Sequence, residues 1–420
     1  MAEDPKAFLR RLFDRAVEVA DPMQSLAAYL PEKPEPLTVI GAGKASARMA
    51  EAVEAAYGPC KGLVITRYGY ARPCKGIEIV EAAHPVPDQA GMIATQRMLE
   101  LVEGLTKEDT VLALISGGGS ALLTAPAGEI TLEEKRALTD ALLASGAPIG
   151  DINGIRKQIS SVKGGKLAAS AYPASMLALL ISDVPGDDPG DIASGPTVGD
   201  DGDAQKALAK LKRWKVQPPA AIKAFLETGG NPVAKEDKRL SKVENVIYAA
   251  PSQSLDAAAD LAREAGVETR ILGDAIEGEA REVAKSHAKM ALEIRSELTS
   301  EDAPVLLLSG GELTVTRTGD GIGGPNAEYA LALAVALRAK AGIHAIACDT
   351  DGVDGAAEVA GAIIGPDTIG KSVEAGINAP SELAANNAHG FFEKIGDQVV
   401  TGPTLTNVND FRAILIEAGD

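Results

Sequence analysis

Residues 176–197 read MLALLISDVPGDDPGDIASGPT. An apolar run of strand length, 176–181, meets Asp183. A segment dense in Gly and Pro then carries Asp187, Asp188 and Asp191, with no Lys or Arg between them. A buried parallel strand feeding a polar loop is where α/β enzymes place their chemistry. Four carboxylates without a local cation repel one another unless something neutralises them. A divalent metal arriving with a nucleotide phosphate would do so. A solvated acidic turn is the other reading, because Asp and Gly are good turn formers.

Three glycine-rich turns follow apolar runs. The first, VIGAGKASARMA, holds Gly41, Gly43 and Lys44. Small residues there let backbone N–H groups approach an anion at the start of a helix. A dinucleotide fingerprint needs glycine where Ser46 stands and an acid near Thr66–Arg67, so NAD is disfavoured. Lys44 suggests a point charge aimed at phosphate or carboxylate, or else an exposed lysine at a helix start. The second turn, Ser116-Gly117-Gly118-Gly119-Ser120, offers a row of N–H groups, with Ser120 placed to cap the next helix. It lacks the last glycine of a hydrolase nucleophile elbow. The third runs through Gly310, Gly311 and Glu312 to Gly323-Gly324-Pro325-Asn326, where Pro marks a helix start. Glu312, Asn326 and Glu328 are expected to meet at one spot.

Two clusters and one motif match remain. Residues 153–166 pack Arg156, Lys157, Lys163 and Lys166 around a glycine pair, an anion clamp or a solvated helix face. Asp349, Asp351 and Asp354 follow another apolar run. Val353 and Ala360 occupy positions that an EF-hand gives to ligands, so magnesium or nucleotide fits better than calcium. Residues 365–372, GPDTIGKS, satisfy the Walker A pattern. Only about fifty residues follow, too few for the later strands of a P-loop domain, so the match reads as a turn and helix start.

The elements that must position these residues alternate from end to end. Strands are expected at 37–41, 63–66, 77–80, 111–115, 176–181, 246–248, 269–272, 305–308, 313–317, 344–348 and 413–416, with helices between them. That alternation means α/β layers with largely parallel sheets. The polar stretch 216–242 reads as a connector, which divides the chain into domains at 1–230 and 231–420. The 420 residues are too many for one ordinary core. A net charge of −18 argues against general nucleic-acid binding. Three scattered cysteines show neither a disulfide framework nor a zinc pattern, which fits a cytoplasmic setting. Phe8, Leu9, Leu12, Phe13 and Val17 recur at helical spacing, without a signal-peptide core. No apolar run is long enough to span a membrane.

Eight segments together resemble a known family: GAGKAS, AHPVPDQAG, SGGGSALL, RKQISSVKGGKLA, ISDVPGDDPGDIASGPT, SGGELTV, GGPNAEYALALA and DTDGVDG. They occur in the order found in the glycerate 2-kinases with a C-terminal MOFRL domain, some of which carry the name hydroxypyruvate reductase. The resemblance runs from the first strand to about residue 410, with the MOFRL region at about 300–412. It implies two α/β domains with largely parallel, Rossmann-like sheets and an active site in the cleft between them. It implies transfer of the ATP γ-phosphoryl group to the 2-hydroxyl of glycerate, with the family's catalytic lysine on Lys44 and its loop aspartate on Asp183. Two departures stand out. Pro325 replaces an arginine common in the family, and Gln158 replaces a common histidine.

On that basis ATP and Mg²⁺ are the expected cofactors. Gly43, Ser116, Gly117, Gly118, Gly119, Ser120, Gly311 and Asn326 are expected around the phosphates. Some of Asp187, Asp188, Glu312 and Asp351 are expected on the metal. Arg156, Lys163 and Ser194 are expected to meet the substrate, and His84 is read as structural. The expected partner is a small sugar acid, with no nucleic acid and no membrane, and a homodimer is left open. The rivals are a nicotinamide-dependent hydroxypyruvate reductase and a non-catalytic sugar-acid or nucleotide sensor.

Overall fold

The computed structural model describes residues 4–418. The chain folds as two compact units. One comprises Pro22–Asp183 and Asp187–Tyr248; the other comprises the N-terminal segment through Asp21, Val184–Gly186 and everything from Ala249 onward.

The first unit is built on six strands: β1 (Leu37–Ala42), β2 (Lys61–Arg67), β3 (Ile77–Ala82), β4 (Thr110–Ile115), β5 (Ser175–Ile181) and β6 (Val243–Ala249). Their spatial order is β3-β2-β1-β4-β5-β6. β1 to β5 pair in parallel throughout. Helices cover such a sheet on both faces, so its central strands bury side chains on both faces. β1 and β4 are accordingly buried at five of six positions each. Local chemistry starts the helices. Asp88 accepts the Gly91 N–H at 3.0 Å to open the helix Gln89–Val102. Thr131 and Glu134 form a capping box for Leu132–Ala144. Strand order reverses between β1 and β4. The carboxyl ends of those two strands are therefore the crevice where open α/β sheets take ligands.

The second unit holds β7 (Glu268–Gly273), β8 (Gly278–Glu279), β9 (Val305–Ser309), β10 (Leu313–Thr314), β11 (Ile343–Asp349), β12 (Gly361–Ile364), β13 (Gln398–Val399) and β14 (Asp410–Ile416). Its main sheet runs β13-β12-β11-β14-β9-β7. Only β7–β9 is parallel; the other four pairings are antiparallel. The helix Pro5–Ala20 buries Phe8, Leu9, Leu12, Phe13 and Ala16 on one face of this sheet, with residues of the helix Pro251–Glu264. The helices Ala280–Glu297 and Pro325–Leu337 bury the other face. No helix among the described residues is long and apolar enough to cross a membrane.

Three expectations change. Parallel pairing holds for the first sheet, but the second is mixed. Apolar patterning identifies a strand and not its direction, and the C-terminal strand β14 inserts antiparallel between β11 and β9. The expected strand 313–317 pairs only at Leu313–Thr314, with Gly278–Glu279. The stretch 216–242 is not a bare connector. It contains the helix Ala220–Thr228, whose Ile222 and Leu226 are fully buried. The first unit then continues past residue 230, because β6 joins its sheet beside β5.

One buried group in the second unit links packing to pH. His287 is buried, with Nδ1 2.8 Å from the Tyr329 hydroxyl. Burial, and then the charge of Arg412, hold its pKa down from 6.5 to about 4. A depressed histidine favours the fold while neutral. Its contribution is complete above pH 6.5 and is lost as pH falls toward 4. The loss approaches about 3 kcal/mol across that window. His287→Gln keeps a partner for Tyr329 and removes the titration. Its unfolding free energy in urea should fall less than the wild type's between pH 7 and pH 4.5. Parallel pH profiles for the two proteins would rule His287 out as the responsible group.

Candidate functional site

Two glycine turns meet at the switch point of the first sheet. β1 ends at Ala42, and Gly43 follows with φ +151°. A Cβ on Gly43 would sit 2.0 Å from Ser116 Oγ, so only glycine fits. The Lys44 N–H donates to Gly117 O at 2.8 Å, and the Ala45 N–H donates to Ser116 Oγ at 3.0 Å. Ser46 Oγ lies 3.2 Å from the same hydroxyl. Thr66 Oγ1 donates to Gly43 O at 3.1 Å. The two turns are thus bonded to each other before any ligand arrives.

These bonds sort the expected phosphate contacts. The Gly43 N–H is taken by Ile65 O, the Ser116 N–H by Ala42 O and the Gly119 N–H by Ser116 O. Ser116 is fully buried. Gly43, Ser116 and Gly119 therefore build the turns rather than face a ligand. Among the described residues the amides of Gly117, Gly118 and Ser120 are not used by the turns' own hydrogen bonds, and Gly117 and Gly118 lie at the tip of the turn. A Cβ on Gly118 would lie 3.1 Å from Lys44 Cγ and 3.0 Å from His84 Nε2. Lys44 and His84 thus flank Gly118 on one side of the turn.

Ser120 does not cap the next helix. Gly118, in the left-handed conformation, holds that position, and Ser120 lies inside the single turn Gly119–Leu122. Its hydroxyl pairs with Ser194 Oγ at 2.8 Å. Ser194 sits in a run of three left-handed residues: Ala193 (φ 52°), Ser194 (φ 64°) and Gly195 (φ 60°). Left-handed backbone at Ala and Ser costs on the order of 1–3 kcal/mol each and persists only where neighbours hold it. Lys163 is such a neighbour. Its ammonium donates to Ser120 O at 2.8 Å, Ser120 Oγ at 3.1 Å, Leu123 O at 3.4 Å and Ala193 O at 3.5 Å. Lys163 is fully buried. Burial, then the charges of Arg156, Lys135 and Lys157, push its pKa well below the usual lysine range. It staples the glycine turn to the 193–195 loop instead of reaching a substrate.

Arg156 is half-buried, and its NH2 donates to Ser120 O at 3.4 Å. Its Nε is buried and has no hydrogen-bond partner. The rest of the basic island is structural: Lys157 pairs with Asp200 at 2.7 Å, and Lys166 donates to Ser160 O at 2.6 Å. Burial lowers the Lys166 pKa to about 8.

Asp183 lies two residues past β5, half-buried. Asp187 has φ 53° and a buried Oδ1 without a hydrogen-bond partner. Asp188 is exposed and accepts the Gly190 N–H at 2.7 Å, an Asx turn. Among the described residues no group of three or more His, Cys, Asp or Glu side chains could by itself hold a metal ion. One unpartnered carboxylate oxygen on Asp187 fits a Mg²⁺ whose remaining ligands are phosphates and water, which is how that ion is usually bound.

The candidates in the second unit are mostly committed to its fold. A Cβ on Gly311 would fall 2.2 Å from Ile276 N, a packing requirement. Glu312 is exposed. Asn326 and Glu328 are buried but do not converge. Asn326 Nδ2 donates to Asp410 Oδ1 at 2.6 Å, and Glu328 pairs with Arg281 at 2.5 Å. Asp354 accepts the N–H groups of Asn326 and Ala327 at 2.9 and 2.8 Å, capping the helix Pro325–Leu337 from another loop. Asp351 is fully buried, and its Oδ1 accepts the Val353 N–H at 2.8 Å. Lys371, in the Walker-like segment, pairs with Asp397 at 2.7 Å and Asp367 at 3.1 Å. Those carboxylates hold its pKa above the usual lysine value despite burial. Its ammonium serves the fold.

Sequence spacing did not single out Lys135, which is 2 % exposed. The signal was present: Leu132, Lys135, Leu138 and Leu142 fall on the one buried stripe of their helix.

Comparison with known proteins accords with this architecture. A model of the domain of unknown function DUF4147 matches residues 8–227, and the MOFRL family model matches residues 305–410. A protein of Agrobacterium vitis named as a putative hydroxypyruvate reductase is 50 % identical over 413 residues, 97 % of this chain and 94 % of that protein. The D-glycerate 2-kinase of Thermotoga maritima is 36 % identical, over 97 % of each chain. The crystal structure of a Thermotoga maritima glycerate kinase superposes with a TM-score of 0.87 at 36 % identity, covering 98 % of this chain and 99 % of that one. The chain belongs to the glycerate 2-kinase family with a C-terminal MOFRL domain.

Proposed function

We propose that the protein transfers the γ-phosphoryl group of ATP to the 2-hydroxyl of glycerate, giving 2-phosphoglycerate and ADP. The observation that carries this reading is the pair of interlocked glycine turns at the sheet's switch point, with Lys44 over Gly118. Phosphoryl transfer needs mainly positioning and electrostatic stabilisation. The Gly117 and Gly118 amides are the donors for phosphate oxygens. Lys44 offsets charge on the group in transit. Asp183 accepts or orients the proton of the attacking hydroxyl. Arg156 meets the carboxylate of the acid. Mg²⁺ carried by the nucleotide would take Asp187 as its protein ligand and neutralise phosphate charge when bound.

The rival is reduction of hydroxypyruvate by a nicotinamide cofactor, the activity named for the Agrobacterium vitis relatives. The first turn does not favour it. Ser46 stands at the third glycine position, fully buried against Ser116, and β2 ends in Thr66–Arg67 without an acid. Incubation with ATP·Mg²⁺ and glycerate, against NAD(P)H and hydroxypyruvate, separates the two. NADPH oxidation without phosphoryl transfer would overturn the proposal.

Lys44→Ala should lower kcat about 10²–10³-fold and leave the fold intact, the cost of one charged contact to the transition state. Activity within threefold of wild type would remove Lys44 from the mechanism. Asp183→Asn should lower kcat and kcat/KM together, because the amide keeps the size but takes no proton. Restoration of kcat by excess Mg²⁺ would make Asp183 a metal ligand instead. Lys371→Ala should leave kcat unchanged within threefold. Its cost in stability should be no more than about 1 kcal/mol for a partly exposed ion pair. A hundredfold loss of ATP-dependent turnover at unchanged Tm would revive the Walker-like segment.

A further inference from the structure

Lys135 lies on the buried stripe of the helix Leu132–Ala144. Its ammonium donates to Thr124 Oγ1 at 3.1 Å, and Thr124 Oγ1 in turn donates to Ala121 O at 2.7 Å. An ammonium carries three donors. The remaining two have no acceptor among the described residues. Arg156 is close by: its charge acts on Lys135, and the two cations meet Thr124 and Ser120 on the same short stretch of chain. Arg156 Nε is a third buried donor without an acceptor. Neither cation is ion-paired among the described residues, in a chain with 59 acidic side chains. Their partners there are Thr124 Oγ1 and Ser120 O alone.

Buried charges are ordinarily paired, because desolvating an unpaired one is expensive. Three unsatisfied N–H donors on two cations at one place call for an acceptor-rich anion. We infer that Lys135 and Arg156 together form a recognition site for the carboxylate of the acid substrate, an assignment that rests on the phosphoryl-transfer reading. Arg156 is half-buried, the more accessible of the two, and would be the first to meet a ligand. Lys135 stands behind it and supplies charge in a poorly solvated setting, where Coulomb attraction is stronger than in water. Ser120 and Thr124, which the two cations touch, follow the Gly117–Gly118 amides within about two helical turns' length of chain. The acid end of a substrate would lie beside the end that receives phosphate. Burial, then the charges of Arg156 and Arg136, lower the Lys135 pKa to about 7, and a bound carboxylate would raise it.

Calorimetry on the full chain tests this, with glycerate as one titrant and ATP·Mg²⁺ as the other. Lys135→Met should weaken glycerate binding tenfold or more and leave the nucleotide Kd within threefold. Lys135→Gln keeps a donor without the charge and should show a loss of the same order; it also carries the test if the Met variant does not fold. Glycerate affinity within threefold of wild type in the folded variants would overturn the assignment. If the wild type binds nucleotide but not glycerate, the substrate reading fails by itself. The anion site is then read with sodium sulfate. A sulfate-induced rise in wild-type Tm that is absent in Lys135→Gln supports it, and equal rises, or none in either, refute it.

Discussion

The first unit depends on a close approach that only glycine permits. Gly43 and Ser116 come so near that any Cβ at 43 would collide with the serine hydroxyl. That contact lets the Lys44 N–H reach Gly117 O and the Ala45 N–H reach Ser116 Oγ. Two turns become one hydrogen-bonded surface. The same logic recurs at Gly119, where a Cβ would lie 2.7 Å from Ala193 Cβ and 2.8 Å from Ala42 O. The 193–195 loop can therefore rest directly on the turn. Preorganised donors of this kind need no rearrangement when charge develops, which is why such surfaces suit phosphate chemistry.

Lys163 shows how that surface is held. A lysine with no acid beside it would be a poor structural element on the outside of a protein. Here four oxygens surround its ammonium, two of them on Ser120. A carboxylate partner would need its own desolvation. Carbonyl groups are already inside, at the ends of backbone segments that must be satisfied somewhere. The lysine thus satisfies several acceptors and holds Ala193 and Ser194 in a backbone region they would not otherwise adopt.

The fold was largely legible because its strands are apolar runs separated by turn residues. Every expected strand exists except that 313–317 is cut to Leu313–Thr314, and the helix of Phe8, Leu9, Leu12 and Phe13 is buried as its spacing demanded. The strands that were missed carry little signal. β12 is Gly-Ala-Ile-Ile, with Gly361 pressed against Ala347 O, and β8 and β13 are two residues each. Strand direction was illegible because it depends on where β14 inserts. Among candidate site residues, type and spacing located the turns but could not say which atoms face outward. That depends on which N–H groups the turns consume, a matter of ångströms. Lys163 and Lys135 look alike in sequence, yet the first has four acceptors and the second has one.

The aspartates of the two loops differ in the same way. In the second unit Asp354 gives both oxygens and Asp351 its Oδ1 to backbone amides, through three bonds of 2.8–2.9 Å. Asp354 also meets His389 at 3.0 Å. An acid engaged in this way caps helices and closes turns, and offers little to a cation. Asp187 is the opposite case: its Oδ1 is buried and nothing in its own loop takes it. Two runs that look equally acidic therefore differ in what they can bind. The difference arises because the second-unit loop folds around its carboxylates, while in the loop after β5 Pro185 and Pro189 have no N–H to give and the Gly190 amide goes to Asp188.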